Sequence, residues 1–503
     1  MSTVKIGWAK REISSDKPVS IPGQMYQRIS EGIHDPLYVT ALCVDGGEGQ
    51  DKIIFISCDI VTPSKGILDP IRQKLRECRP EIPEEGFILS VTHTHSSVSL
   101  NGESDKSLDG KPMFPGIKTR EMFCEKAAEA IIEAWDSRKE GGIGYGYGYA
   151  VVGHSRRVVY FKEEKLARNT RQYMTPPGYG VMYGNTNDEL FSHYEAGADH
   201  FLNLLFTFDA NEKLTGVVVN VPCPSQLSEH FTKLSADYWH DVRAMVAKEF
   251  GDDVFVLPQC AAAGDVSPRV LHYLKAQERR MRLKYDLPYD PSKRTVYNKV
   301  MGERYDIAER IVEGIKEVYA WARKDIRTEV PVCHKVTQME LERRKISEEE
   351  MDWCRQNLEE LKDMEPSAEG LTGEEYRKAL SNYNSKVRRN RAGLERGEDV
   401  KKNPTLTMQS HTVRIGDVAF ATIRFETYID FMHRLQARSP FIQTFVMQMA
   451  GEEGGNYLAT HRGADAKGYS ASMFCNMVSA DGGQQWVENQ LAVLNEMKAE
   501  DEA

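Results

Sequence analysis

The chain has 503 residues, 41% of them apolar and 28% charged, a balance that supports a folded core and excludes a disordered or fibrous protein. Its 75 acidic and 65 basic residues leave a net charge of −10, which excludes a bulk nucleic-acid or anionic-membrane binder, because both tasks need a basic face. Nine cysteines are scattered without a CxxC pair, so neither a disulfide framework nor a zinc ribbon is expected.

The N-terminus has no charged stretch leading into an apolar one, and no run reaches the ~20 apolar residues of a membrane span; a cytoplasmic protein is expected. Residues Ile53–Asp59 and Phe87–His93 read as buried strands flanking a helix over Pro63–Arg79. That order predicts a βαβ unit with its chemistry at the carboxyl ends of the strands. A helix follows at Thr119–Trp135, then a Gly/Tyr-rich β-like segment over Gly141–Gly153. Val217–Val221 and Val254–Pro258 read as two further buried strands, with a helix over Asp237–Glu249 between them.

Residues 270–325 and 345–400 have helical patterns rich in charge. The second stretch carries two capping boxes, Ser347 with Glu350 and Thr372 with Glu375. Its plain reading is a solvated helical hairpin; a partner-binding or dimerisation arm is the other. Strands return over Gln409–Arg424, followed by a helix over Glu426–Ala437 and an apolar run over Phe441–Met449. Without repeats or low-complexity linkers, residues 1–503 are expected to form a single elaborated catalytic domain, with a charged helical insertion at about 338–405.

Thr92-His93-Thr94-His95-Ser96-Ser97 ends the second strand. Two histidines spaced by one residue on a strand point to the same side, and imidazole is the commonest zinc ligand. The plainer reading is a pair of strand-end histidines bonded to local backbone. In Gly264-Asp265-Val266-Ser267-Pro268, Ser267 is placed on a tight turn and Asp265 reads as a local cap. The segment lacks the G-x-S-x-G elbow of a serine hydrolase. Cys223, between two prolines after a strand, is a better thiolate or ligand candidate than the other cysteines. Arg156 and Arg157 stand in a basic turn that could hold an anion.

These segments, in this order, resemble the catalytic domain of the neutral ceramidase family, from about Gly7 to Tyr469. The resemblance includes Ile21-Pro-Gly-Gln, Gly32-Ile-His-Asp-Pro-Leu, Thr92-His-Thr-His-Ser, Gly264-Asp-Val-Ser-Pro, Ala437-Arg-Ser-Pro-Phe and Tyr457-Leu-Ala-Thr. It implies an α/β fold with a mixed sheet and helical insertions, without the family's C-terminal β-sandwich. It further implies Zn²⁺ as cofactor, with His93, Glu426 and Tyr457 as ligands, and His95 and Tyr469 facing the scissile group. Ser267 matches the family's active-site serine, and Arg156 or Arg157 its arginine. The family's second histidine ligand is missing: its place falls on Cys223, with His230 as the alternative ligand and a degraded metal site as the third possibility. The expected function is zinc-dependent hydrolysis of an amide or ester bond in a small soluble substrate, without nucleic-acid or membrane partners. A metal-dependent lyase or isomerase acting on a carbohydrate derivative is the alternative, and a non-catalytic binding protein is the third reading.

Overall fold

The structure, a computed structural model, describes residues 3–162, 173–286 and 296–500. Eight strands form the larger sheet: β1 (Lys5–Glu12), β2 (Tyr38–Asp45), β3 (Lys52–Cys58), β4 (Phe87–Val91), β5 (Lys139–Tyr149), β6 (Phe201–Asp209), β7 (Leu214–Val221) and β8 (Phe255–Cys260). Their order is β8-β7-β6-β5-β1-β2-β3-β4. The outermost neighbours, β3 with β4 and β7 with β8, are parallel, while the strands between them pair antiparallel. Each parallel pair is bridged by the helix its sequence predicted: α1 (Leu68–Cys78) between β3 and β4, and α3 (Tyr238–Phe250) between β7 and β8. The sheet curls until its two edges touch, and Ser57 Oγ on β3 donates to the Pro258 carbonyl on β8 at 2.5 Å.

A second sheet has the order β9 (Val332–Glu342), β10 (Thr405–Ile415), β11 (Val418–Ile423) and β12 (Gln443–Gln448), with β11 and β12 parallel. Strands β2 to β4 are buried on both faces, as strands covered on both sides must be. One face of the large sheet meets the second sheet through Leu42, Phe55, Leu257, Phe420 and Phe445. The opposite face is covered by α1 and α2 (Gly116–Asp136) at one end, and by α3 and α5 (Val296–Ala322) at the other. The outer face of the second sheet is covered by α8 (Ile429–Arg438) and α10 (Ala480–Ala499). The helical reading of residues 270–325 is met by α4 (Leu274–Lys284) and α5; residues 287–295 of that stretch lie outside the described residues.

Between β9 and β10 stand the predicted charged helices, α6 (Glu348–Leu361) and α7 (Gly373–Lys402), each opened by its capping box. They are not a solvated hairpin. Helix α7 lies against the 22–30 loop: Ser381 Oγ accepts from Gln27 N–H at 3.1 Å, Ser385 Oγ donates to the Met25 carbonyl at 3.2 Å, and Arg377 pairs with the buried Asp109 at 2.7 Å. Some of the charges that read as a solvent face, Arg377 among them, are spent on polar contacts to other segments, while others such as Glu349, Asp352 and Glu359 stay exposed.

Candidate functional site

Four loops leave the carboxyl ends of parallel strands and meet. The first follows β4. His93 does not extend the strand; it adopts φ +59°, and this left-handed turn, not strand alternation, sets the two imidazoles against each other. Their rings stand 4.9 Å apart at 89°, with the two Nε2 atoms 3.4 Å apart. The second and third loops follow β11 and β12. Glu426 was expected to start a helix; instead Glu426–Thr427 pairs in parallel with Tyr457–Leu458, Glu426 opposite Tyr457, and α8 begins at Ile429. The fourth, Gly264–Ser267, follows β8. A Cβ at Gly264 would lie 2.3 Å from the Glu426 carbonyl oxygen, so only glycine permits this approach. Asp265 was expected to be a local cap; its Oδ1 instead accepts the N–H of the distant Ile429 at 3.0 Å, at the start of α8.

The electrostatics centre on Glu426. Its Oε2 lies 3.4 Å from His93 Nε2 and 3.3 Å from Arg156 Nη2. Burial alone would raise its pKa, but His93 and Arg156 outweigh that and hold it down to about 2. The same Arg156 nitrogen is 3.5 Å from the Tyr457 hydroxyl and donates to the Gly264 carbonyl at 2.9 Å. Burial, then the neighbouring Glu426 charge, push the Tyr457 phenol well above its ordinary range.

Behind His95 stands Glu229, whose Oε2 is 3.3 Å from His95 Nδ1. Burial would raise Glu229, but His95 and then Arg269, 2.5 Å from its other oxygen, hold it down to about 2. Burial lowers His95, so the ring is neutral at pH 7. The ring is roofed by Gly23, which has φ +97° and where a Cβ would sit 2.7 Å from the imidazole.

The remaining expected residues fall in different places. Arg156 is the arginine of the centre. Arg157 is turned away, fully buried against Glu195 at 2.5 Å and the Lys467 carbonyl at 2.7 Å, and is part of the scaffold. Ser267 is buried beside the centre, where its Oγ accepts from Gln226 Nε2 at 3.4 Å and from the Arg269 N–H at 3.2 Å. The Tyr469 ring meets the Tyr457 ring edge to face at 6.0 Å. Arg389 of α7 donates to the Tyr469 hydroxyl at 3.0 Å.

Cys223 is 1% exposed and its thiol turns to the Pro224 carbonyl at 3.5 Å. Burial, then the neighbouring Cys260, push the thiol well above its ordinary range. His230 is exposed, with Nε2 3.8 Å from the outer oxygen of Glu229. Neither makes a hydrogen bond or ion pair with His93, Glu426 or Tyr457 among the described residues. Nor do three or more His, Cys, Asp or Glu side chains gather there in a metal-holding group. The expected quartet with Cys223 is therefore not assembled: the Pro222-Cys223-Pro224 turn directs the sulfur into the core.

What is assembled is a histidine, a carboxylate and a phenol. His93 Nδ1–H donates to the Val61 carbonyl at 2.5 Å, and its Nε2 faces the Glu426 carboxylate 3.4 Å away. Nitrogen and oxygen donors of these types are ones that zinc takes. Glu229 and Arg389 are functional-site residues that sequence reading missed. Glu229 carried a faint signal, lying six residues after Cys223; Arg389 carried none, being one of many charges on α7.

No family model matches the chain, and no curated protein matches it either. Among solved structures, it is similar to the neutral ceramidase from Pseudomonas aeruginosa, with a TM-score of 0.65 and 14% identity, covering 99% of this chain and 75% of that one. It is also similar to a ceramidase complexed with C2, with a TM-score of 0.62 and 14% identity, covering 99% of this chain and 76% of that one. The chain thus has the α/β fold of the neutral ceramidase structures. Among the described residues no helix is long and apolar enough to cross a membrane.

Proposed function

We propose that residues 1–503 form one catalytic domain, a zinc-dependent hydrolase that cleaves an amide or ester bond in a small soluble substrate. The observation that carries this reading is the meeting of His93, Glu426, Tyr457 and Arg156 within 3.3–3.5 Å contacts at the carboxyl ends of parallel strands. The similarity to ceramidase structures supports the amide chemistry.

His93, Glu426 and Tyr457 would hold the metal. Zinc bound there supplies Lewis acidity, which lowers the pKa of a water toward ~7 and polarises an acyl oxygen. His95, whose Nδ1 stands 3.3 Å from Glu229, would carry its proton there and present Nε2 to the centre as a base once a metal held His93 Nε2. It therefore accepts the proton of the attacking water, and the buried carboxylate behind it stabilises the imidazolium. The same Nε2–H then protonates the leaving nitrogen or oxygen. Arg156 and the Tyr469 hydroxyl supply hydrogen-bond donors for the developing oxyanion, and the Tyr469 oxygen accepts from Arg389. Ser267 positions the loop through Gln226 and Arg269, and among the described residues no base hydrogen-bonds to it to make it a nucleophile.

The test is the metal content of protein purified without chelators, together with turnover of a panel of N-acyl amides and esters. Bound zinc and hydrolysis, both lost in His93→Ala with the circular dichroism spectrum kept, are the expected results. A zinc-free protein whose melting temperature is indifferent to His93→Ala overturns the proposal.

A further inference from the structure

Helix α7 brings a guanidinium to the site without a counter-charge. Arg389 donates to the Tyr469 hydroxyl at 3.0 Å, and its other contacts are the sulfur of Cys475 at 3.7 Å, the sulfur of Met25 at 3.7 Å and the face of the Tyr469 ring at 5.1 Å. All of these partners are neutral, and no carboxylate pairs with Arg389 among the described residues. The other arginines nearby are matched: Arg156 by Glu426, Arg269 by Glu229, Arg157 by Glu195 and Arg377 by Asp109. Seven residues along the same face of α7, Arg396 adds a second uncompensated charge. Its Nε and Nη2 are buried without an acceptor, and Nη1 reaches only the Met477 sulfur at 3.1 Å.

Withdrawing a guanidinium from water without a counter-ion is costly. The cost is recovered when an anion completes the pair, and the planar guanidinium fork matches a carboxylate in geometry. Arg389 is half-buried, so it meets these conditions in part, and it stands one aromatic ring away from Tyr457, between the 22–30 loop and Tyr469. Its sulfur contacts are weak acceptors that a carboxylate oxygen displaces.

We propose that Arg389, anchored on Tyr469, is the subsite for a carboxylate carried by the substrate, so that the bond cleaved belongs to a small acyl amino acid or a like monoanion. The inference rests on the hydrolase reading of the same site, and its test needs no turnover. Isothermal titration of the full chain, as wild type and as Glu426→Gln, is run with a panel of N-acetyl amino acids and their uncharged primary amides. The expected result is at least about tenfold tighter binding of the charged member in one or more pairs, weakening as salt rises. Arg389→Gln removes that preference and Arg389→Lys keeps part of it. Equal binding of charged and uncharged members throughout the panel, or a preference that survives Arg389→Gln, overturns the inference. If Arg389→Gln does not fold, Arg389→Lys and the salt dependence decide. Arg389-dependent binding without turnover by wild type would sink the hydrolase reading and leave the subsite standing.

Discussion

Glu426 and Tyr457 are register partners in a two-residue parallel pair, so the acid and the phenol of the centre are set side by side by backbone hydrogen bonding. Arg156 closes the pair from one side with a single nitrogen, 3.3 Å from the carboxylate and 3.5 Å from the hydroxyl. The proposed metal-binding half of the site is therefore one mechanical unit, and its two oxygens answer differently to mutation.

Glu426→Gln keeps the shape, removes the charge and leaves Arg156 buried without its counter-ion. The expected loss is about 3 kcal/mol of stability, together with zinc and at least about 10²-fold in turnover. Tyr457→Phe removes one oxygen and leaves the Glu426–Arg156 pair, so zinc affinity falls with little change in stability. Denaturant titration beside metal analysis separates the two; equal destabilisation would contradict the unit described.

In the proposed mechanism Glu229 supports His95 as the base, and it has its own pH signature. Its folded pKa, about 2, lies below its ordinary 4.5. A depressed acid stabilises the fold above its unfolded value and loses that contribution as pH falls through the folded one. Glu229→Gln should thus flatten the stability curve between about pH 4.5 and 2. Turnover should fall about 10²–10⁴-fold while zinc is retained. Loss of zinc with Glu229→Gln would place it among the ligands instead.

Much of this architecture was legible, and the parts that were not have physical reasons. The two parallel units stood out because strands buried on both faces read as continuous apolar runs, and both capping boxes on α6 and α7 form as their spacing predicts. The approach of His93 to His95 was anticipated for the wrong reason: a positive φ at His93 is invisible to strand periodicity. Glu426 was placed in a helix because its neighbours have helical spacing, whereas pairing with Tyr457, far along the chain, decides its backbone. The role of α7 was hidden most deeply, since a charge that anchors a loop and a charge that faces water look alike in sequence.

Cys223 stands where a zinc-binding histidine was expected, but its thiol faces the Pro224 carbonyl and burial keeps it protonated. Cys223→Ser should therefore leave zinc content unchanged, and the native thiol should resist iodoacetamide at pH 8 until the protein unfolds. Cys223→Ala opens a small cavity costing about 1 kcal/mol. A folded Cys223→Ser variant that has lost its zinc would restore the cysteine to the ligand set.

Asp265 offers a test of how the catalytic loop is tied to α8. Burial pushes its carboxyl up to about 7, against the pull of the Ile429 N–H bonded to Oδ1. Oδ2 is buried without a partner. An acid raised in this way gives its full stabilisation below its unfolded value near 3.8 and loses it as pH rises through the folded value. The wild-type melting temperature should accordingly fall between about pH 4 and 7. Asp265→Asn retains the acceptor for Ile429 and has no charge to desolvate, so it should match wild type near pH 3.5, melt higher at pH 7 and above, and show a shallower slope between them. Asp265→Ala loses the acceptor and should cost about 1 kcal/mol at every pH. If Asp265→Asn keeps the wild-type slope across pH 4–7, the loss of stability over that range arises elsewhere and the burial of Asp265 does not govern how α8 is held to the site.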